Sequence, residues 1–422
     1  MRYWYFLLVL VFSMLSIPYS FAQSLNEYLQ MGGESNPDLQ ARYQSYLSAL
    51  QQLPQQGALP DPKLSFSYFI SPVETRLGPQ QARISLQQML PWFGSLTARE
   101  DVASQRAKVR FEEFVQARNA YFYELKKNYF QLYELQQKRT LLQANIDILQ
   151  VYEEVATQKY ENDLSSMVDI IRVQMQLREE KSKLQNLLEE TKAQRSNFNT
   201  LLNRATEAEV SLPDTLEIGE VAADTSQIRA EMLKNYPSIR LLQEEAILLE
   251  KSEKVAQLSA KPELGLGLDY VLIGERTDME MADSGKDALM LMVNVSLPLF
   301  NQQKYKSAVR EIRIESEANQ LAIRNEENRI RDELQQALSQ LQSAKNDILL
   351  YHKQIESTQQ AISILNSAYE ANSKGFEEVL EFQLELLKYQ NLLNESTTRL
   401  YIALAKIDEL RAIEIIDTNE LK

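Results

Sequence analysis

The chain has 422 residues, one histidine, no cysteine and a formal net charge of −14 at pH 7. The absence of cysteine excludes disulfides, thiolate metal sites and an acylated cysteine anchor. The negative charge argues against nucleic acid and anionic lipid surfaces as partners, because both attract basic patches. Glycine and proline are scarce, with 11 and 12 copies, which is typical of long helices.

Residues 1–22 are predicted to be a secretory signal peptide. Arg2 precedes an apolar run of about a dozen residues, and residues 20–22 (Ser-Phe-Ala) give the small-x-small pattern of a cleavage site. A transmembrane anchor is the alternative, but Pro18 interrupts the run before the roughly 20 residues that a spanning helix needs. No later apolar run reaches that length, so a secreted soluble protein and an outer-membrane β-barrel both remain.

Residues 23–203 form the first of two predicted repeats. The repeat consists of a short helix, two strands and two long helices, placed at residues 24–53, 63–70, 82–90, 95–160 and 167–203. The strand segments alternate apolar with small or polar residues, and the long helical segments contain neither Pro nor Gly. The polar connection at 71–81 is rich in turn-forming residues and is predicted to be an exposed loop.

A polar linker at residues 204–225 is followed by the second predicted repeat, residues 226–409. Its helix, two strands and two long helices are placed at residues 226–259, 263–273, 287–297, 302–371 and 376–409, with a polar loop at 274–286 and a tail at 410–422. Four short sequences recur in the same order, among them PKLSFSY at Pro62 and PELGLGL at Pro262, and LPWF at Leu90 and LPLF at Leu297. Recurrence in order indicates two structural repeats that differ by loop insertions.

The long helices carry apolar heptads, which predict knobs-into-holes packing against neighbouring helices. Asn128 and Arg139 interrupt the pattern in the first repeat, and Thr358 interrupts it in the second. The heptad residues are Leu125, Leu132, Leu135, Leu142, Ile146, Leu149, Leu334, Ala337, Leu341, Ala344, Ile348, Tyr351, Ile355, Ile362 and Leu365.

No catalytic residue, cofactor or metal site is predicted. The single histidine, His352, lies within a long helical run, and no cysteine or second histidine could complete a zinc site with it. Phosphate-binding loops, dinucleotide fingerprints and nucleophile elbows are absent from the sequence. The chain is therefore not expected to be an enzyme.

The order of these elements resembles the TolC family of outer-membrane efflux channels. Two repeats of two amphipathic strands and two long helices follow a signal peptide, and Leu-Pro-x-Phe stands at each strand-to-helix junction. The segments KYENDLSSMVDIIRVQMQL (from Lys159) and AYEANSKGFEEVLEFQLEL (from Ala368) look like the family's recurring segment at the turn between the long helices. Asn162, Asp163 and Asn372 stand where the family often has Gly, and Asn and Asp tolerate left-handed backbone better than most residues.

The resemblance implies a homotrimer whose twelve strands close a transmembrane barrel that continues into an α-helical periplasmic tunnel. Four strands alone could not close a membrane barrel, which needs at least about eight. The chain would lie in the outer membrane with a large periplasmic part, and its partners would be a periplasmic adaptor protein and an inner-membrane transporter. Lipid-facing residues would be Leu64, Phe66, Ile84, Leu266, Leu291 and Val293; pore-facing residues would be Ser65, Ser67, Arg83, Ser85, Gly265, Asp269 and Asn294.

Two further groups of residues gain an expected role from the resemblance. The seam between barrel and tunnel would lie at the strand-to-helix junctions, at Pro91, Trp92, Gly94, Pro298 and Asn301. The periplasmic tip and its aperture would be formed by Tyr160, Asp163, Asp169, Tyr369, Asn372, Gly375, Glu377 and Glu378. We hypothesise that the four carboxylates among them set a cation preference, as acidic rings do in other pores.

Several alternatives stay open at the level of sequence. The same architecture could serve type I protein secretion or metal efflux instead of the efflux of drugs or other small molecules. A secreted coiled-coil scaffold without a pore would explain the heptads but not the four amphipathic strands. A periplasmic adaptor also has long helical hairpins, but it would need a lipoyl-like domain and further strands.

Overall fold

The computed structural model describes residues 24–216, 225–371 and 376–412. The predicted signal peptide, Asn372 and Gly375 therefore lie outside the described residues. The fold is mainly helical with one small antiparallel sheet, which confirms the predicted class. Two compact units divide the chain: one comprises residues 1–37, 118–229 and 332–422, and the other comprises 38–117 and 230–331. In the described ranges, no helix has the length and hydropathy needed to cross a bilayer.

The two halves of the chain have the same order of helices and strands, except that the first half has one additional short helix, α3, before its strands. The first half contains α1 (Leu25–Ser35), α2 (Pro37–Leu50), α3 (Leu53–Gly57), β1 (Lys63–Thr75), β2 (Gly78–Leu90), α4 (Ser95–Glu161) and α5 (Met167–Leu201). The second half contains α6 (Thr225–Asn235), α7 (Pro237–Leu258), β3 (Glu263–Ile273), β4 (Ala288–Ser296), α8 (Gln302–Glu370) and α9 (Phe376–Arg411).

The two single helices predicted at 24–53 and 226–259 are wrong, because each is broken before a proline. Asn36 lies between α1 and α2 with extended backbone, and Tyr236 lies between α6 and α7 in the same conformation. The residue before a proline is driven out of the α region, whereas proline itself fits the first turn of the next helix. At the other end, α9 continues to Arg411, two residues into the predicted tail.

The predicted loop at 71–81 is also wrong, because β1 and β2 are 13 residues each and run through it. The pairing register shifts between Tyr68 and Val73, and Pro72 lies inside that irregular stretch. Proline is tolerated there because a bulge on an edge strand does not require its missing N–H. Only Arg76 and Leu77 remain as the turn, between the paired residues Thr75 and Gly78.

The four strands form one antiparallel sheet in the order β1-β2-β3-β4. The loop that follows β3 contacts the β1-β2 turn: the Gly285 N–H donates to the Leu77 carbonyl at 2.8 Å, and the Gly274 N–H donates to the Pro79 carbonyl at 2.7 Å. This loop at 274–287 thus covers the turn at one end of the sheet.

In the first unit, α1 packs against α4 and α5 through aromatic contacts. The Tyr28 and Phe198 rings meet edge to face at 5.2 Å, and both side chains are fully buried. Gly32 lies against the Tyr121 hydroxyl, which leaves no space for a side chain on α1 at that point. The Tyr121 hydroxyl donates to the Leu201 carbonyl at 2.8 Å, and burial raises the Tyr121 pKa to about 12.

Two of the three apparent interruptions of the heptads are themselves buried. Asn128 is 2 % exposed; its amide donates to the Glu124 carbonyl, and its side-chain oxygen accepts from Gln194 and Asn197. Thr358 is 5 % exposed. Polar residues therefore occupy core positions of both α4 and α8, and the hydrogen bonds of Asn128 are satisfied there; only the third interruption, Arg139, is exposed.

Candidate functional site

Pairing in the sheet assigns its residues to two faces, because directly opposite residues point to the same side. One face, here called the apolar face, carries twelve large apolar side chains that are each at least 39 % exposed. These residues are Leu64, Phe66, Tyr68, Ile84, Leu86, Leu266, Leu268, Tyr270, Leu289, Leu291, Val293 and Val295. The six residues predicted to face lipid all lie on this face.

The opposite face, here called the polar face, carries all seven residues predicted to face a pore. Ser65 is opposite Ser85, Ser85 is opposite Asp269, and Gly265 is opposite Asn294. Long side chains that were not among the predicted pore-facing residues also lie on this face: Gln87, Met89, Met290 and Met292. Strand periodicity accounts for them, since Gln87 and Met292 are two residues, and Met89 and Met290 four residues, from a predicted member of the set.

Arg83 and Asp269 form a pair of opposite charges on the polar face that the sequence analysis did not predict. The guanidinium Nη1 lies 3.9 Å from the Asp269 carboxylate, whose side chain is 1 % exposed. The two residues are on neighbouring strands, but their diagonal placement depends on the register and cannot be derived from either strand alone.

Both outer strands have one edge without a hydrogen-bonded neighbour in the described part of the chain. β1 pairs with β2, and β4 pairs with β3. Open strand edges expose unpaired N–H and C=O groups and readily pair with another strand. β1 and β4 are therefore the places where this sheet can be extended.

At the first predicted seam, Pro91 and Trp92 connect β2 to α4. The Ser95 N–H donates to the Trp92 carbonyl at 2.9 Å, which closes a turn at the start of the helix. Gly94 adopts a φ of +80°, a left-handed conformation that side chains disfavour. Phe93 is 80 % exposed beside the Trp92 ring.

The second predicted seam is built differently. Asn301 does not have a positive φ, in contrast to Gly94 at the equivalent place. Its carbonyl accepts from the Tyr305 N–H and begins α8. Leu297, Leu299 and Phe300 flank Pro298 and are all more than half exposed, so both seams combine a proline with exposed apolar side chains.

The turn between α4 and α5, at the predicted tip, is held by local hydrogen bonds. Asp163 has a φ of +58°, and the Leu164 N–H donates to the Lys159 carbonyl at 2.8 Å. This is the geometry of a helix that ends in a left-handed residue. Ser166 and Asp169 then form a reciprocal capping box at the start of α5, so Asp169 has a structural role in the helix end.

Contacts between the helices connect the tip residues of the two halves. The Lys159 ammonium donates to the Tyr369 carbonyl and lies 3.9 Å from the centre of the Tyr369 ring. Arg172 forms an ion pair with Glu377 at 2.5 Å. Tyr369 is buried against Phe376 at 5.4 Å, and burial raises its pKa, with the Asp169 charge acting in the same direction.

Of the predicted tip residues that the structure describes, three differ clearly in environment. Tyr160 is 45 % exposed at the end of α4, and Asp163 is exposed in the turn. Glu378 is half-buried in the first turn of α9. Across the described ranges, no group of three or more His, Cys, Asp and Glu side chains is arranged to hold a metal ion.

The fold is mainly helical, and its small antiparallel sheet exposes a large apolar face. The chain belongs to the outer membrane efflux protein family, whose model matches residues 29–204 and 228–411. The match confirms the resemblance found in the sequence and places the chain in a family of outer-membrane channels rather than enzymes.

Solved structures share the fold at low sequence identity. The outer-membrane channel OprN superimposes with a TM-score of 0.76 at 16 % identity, over 92 % of this chain and 89 % of that one. VceC from Vibrio cholerae gives 0.74 at 16 % identity, covering 92 % and 96 %. The open state of MtrE from Neisseria gonorrhoeae gives 0.74 at 14 % identity, covering 92 % and 88 %. No curated protein matches the chain.

Proposed function

We propose that three copies of this chain form an outer-membrane channel that conducts small molecules expelled by an inner-membrane pump. The observation that carries the proposal is the sheet, because its exposed apolar face adjoins two open edges. Twelve large apolar side chains in contact with water would be a strongly unfavourable surface for a soluble protein. The same surface is stable against hydrocarbon, where every backbone edge must also be paired.

A closed barrel satisfies both requirements at once. β1 and β4 run in opposite directions, because three antiparallel pairings separate them. β4 of one copy can therefore pair with β1 of the next copy without changing the antiparallel pattern. Three copies give twelve strands, an even number within the range of membrane barrels.

The long helices support the same assembly. Several large apolar residues of α8 remain more than 45 % exposed in a single copy: Ile314, Leu321, Leu349, Leu350 and Ile364. Heptad helices with exposed apolar side chains bury them against neighbouring helices. In the proposed trimer, three sets of α4, α5, α8 and α9 form the periplasmic tunnel.

Engineered disulfides test the barrel directly, since the chain has no cysteine of its own. Ser65→Cys on β1 is combined in turn with Met290→Cys, Met292→Cys and Asn294→Cys on β4. Within one copy these strands are three spacings apart, about 14 Å, which is too far for a disulfide. At least one pair should give covalent dimers and trimers of the membrane-extracted protein on a non-reducing gel. Monomer alone from all three pairs would contradict the barrel.

Conductance tests the channel itself. Trimers purified from the outer-membrane fraction and inserted in a planar bilayer should give discrete, long-lived conductance steps. A protein that stays soluble in the periplasm, or trimers that insert without conducting, would contradict the proposed function. The scaffold and adaptor alternatives predict the first of these outcomes, and family membership argues against both.

We further infer that the tip meets a periplasmic adaptor, which links the channel to an inner-membrane transporter. Leu164 is 55 % exposed in the α4-α5 turn, so its apolar side chain is available to a partner at the tip. A photo-crosslinker at Leu164 in growing cells should capture a periplasmic protein with a lipoyl-like domain and a helical hairpin. The same probe at Leu349, which is 64 % exposed on α8, should capture a second copy of this chain.

A further inference from the structure

The pair formed by Arg83 and Asp269 on the polar face is unequally buried. The Asp269 side chain is 1 % exposed, whereas the Arg83 side chain is 36 % exposed. Val271 is directly opposite Arg83, and Ser85 is directly opposite Asp269. Arg83 therefore reaches Asp269 along the diagonal between neighbouring strands, a distance that long side chains can span.

The carboxylate depends on the guanidinium for its compensation. Neither oxygen of Asp269 has a hydrogen-bond partner, and the same holds for the Arg83 Nε atom. A buried carboxylate is costly unless a cation stands nearby. The Arg83 Nη1 atom at 3.9 Å meets that need, so the attraction keeps the guanidinium above Asp269 and limits the positions it can adopt.

The surroundings leave the outer side of the guanidinium accessible. Ser67 is directly opposite Arg83 on β1, and Gly267 precedes Asp269 on the same face of β3. These small residues do not extend over the arginine. The other ionisable residues on this face, Lys63 and Glu263, stand at the ends of β1 and β3.

We propose that Arg83 is the accessible charge that sets the ion preference of the barrel lumen, and that Asp269 is its positioning residue. The proposal rests on the trimeric channel, in which three copies form a ring. The ring would attract anionic groups, such as chloride and the carboxylates, phosphates or sulfonates of transported molecules, because guanidinium binds oxyanions strongly. The buried carboxylates reduce the net charge of the ring, so an attracted anion can also leave, as conduction requires.

Reversal potentials of single trimers in a KCl gradient test this role. Arg83→Gln should raise the permeability ratio of K⁺ to Cl⁻ about two- to fivefold, the size expected when three charges roughly 10 Å from the ion path are removed and partly screened. Asp269→Asn should change the ratio in the opposite direction, and the double variant should return close to the wild-type ratio. Arg76→Gln removes the same charge at the exposed β1-β2 turn and serves as the matched control.

A second measurement leaves the pair intact, in case Arg83→Gln does not assemble. Ser67→Cys, opposite Arg83, should react faster with an anionic sulfonate thiol reagent than with a cationic ammonium reagent, and this preference should be several-fold larger than at Ser65→Cys. Conducting trimers with an unchanged ratio in Arg83→Gln, or equal reagent preferences at both cysteines, would overturn the proposal. Absence of conductance in the wild type would instead contradict the channel itself.

Discussion

Gly94 shows how a single backbone conformation can be required by the fold. Its φ of +80° is costly for a residue with a Cβ atom, although no atom beyond its two chain neighbours lies within 4 Å of the place where that Cβ would stand. Gly94→Ala should therefore lower stability through backbone strain alone, by about 1 kcal/mol. The thermal midpoint of the detergent-solubilised protein measures the loss. Asn301→Ser, at the equivalent position without a positive φ, should leave the midpoint nearly unchanged, because Asn and Ser are similarly favourable at the start of a helix; equal effects would contradict this explanation.

Two glutamates on α7 should respond to pH with opposite signs. Burial and then the Glu113 charge raise the Glu245 pKa, whereas the hydrogen bond from Arg313 is the largest cause of a lowered Glu253 pKa. A raised pKa means that the folded protein binds the proton more tightly than the unfolded chain. At neutral pH the ionised Glu245 therefore lowers the stability of the folded protein. This stability is regained as the pH falls from the raised pKa of the folded protein to the ordinary carboxyl pKa of about 4.3 in the unfolded chain.

Substitution of each glutamate separates these contributions. Glu245→Gln should raise the thermal midpoint at neutral pH, and the gain should vanish below the ordinary carboxyl pKa. Glu253→Gln should lower the midpoint at neutral pH, because its stabilisation is present above the unfolded pKa and is lost as the pH falls through the folded one. Midpoints recorded across this pH range check both; changes of the same sign would show that the charges do not control the effect.

At the scale of the helix or strand, local sequence patterns predicted which segments are helices or strands, and their order, better than they predicted the first and last residue of each. β3 was predicted with the bounds it has, because Pro262 precedes it and its alternation of apolar and small residues is unbroken. β1 was predicted too short, because Pro72 reads as a turn signal unless the strand is known to be at the edge. Edge position and register depend on partners that are about 200 residues away in the sequence, which no local pattern contains.

Dependence on residues that are distant in the sequence also explains which contacts of the functional surfaces were not predicted. The faces of the strands follow from periodicity, so the seven pore-facing predictions fall on one side of the sheet. The pair of Arg83 and Asp269, the capping role of Asp169 and the ion pair between Arg172 and Glu377 require tertiary contacts. Residue type suggested charge at these positions, but only the fold decides which charges are compensated.

The proline at each seam fixes the backbone at the junction between a strand and a helix. Proline presets φ near −65° and reduces the freedom of the unfolded chain, which is worth about 0.4–1 kcal/mol at a compatible position. Pro91→Ala with Pro298→Ala should therefore lower the yield of membrane trimers by about fivefold if the two effects add. Heat-modifiable trimer on a gel measures the yield. Pro213→Ala in the linker is the control, and normal assembly of the double variant would show that the seams do not depend on proline.

On the scale of the whole molecule, the tip is where three copies would bring the same charges together. The structure separates the four candidate carboxylates by role: Asp169 closes the capping box, and Glu377 is paired with Arg172. Neutralising either one changes more than the charge at an aperture. Asp163 is exposed in a turn that already has a left-handed backbone, so its charge can be removed with the least structural consequence.

Asp163→Asn is therefore the sharpest test of the cation preference that we hypothesise for the tip. Asparagine keeps the shape and the tolerance for a positive φ while it removes one charge per copy. In single trimers, block by Ca²⁺ added from the tip side should weaken by about two- to tenfold, because a ring of three charges contributes roughly 1 kcal/mol at distances near 10 Å in water.

Ser166→Ala removes the capping box without removing charge and should lower stability by about 1 kcal/mol with little change in block. If Asp163→Asn leaves block unchanged while Glu378→Gln weakens it, the constriction lies on α9 and not at the α4-α5 turn. Unchanged block in these two variants and in Glu377→Gln would contradict the acidic ring, because Asp169, which closes the capping box, would be the only one of the four candidate carboxylates left.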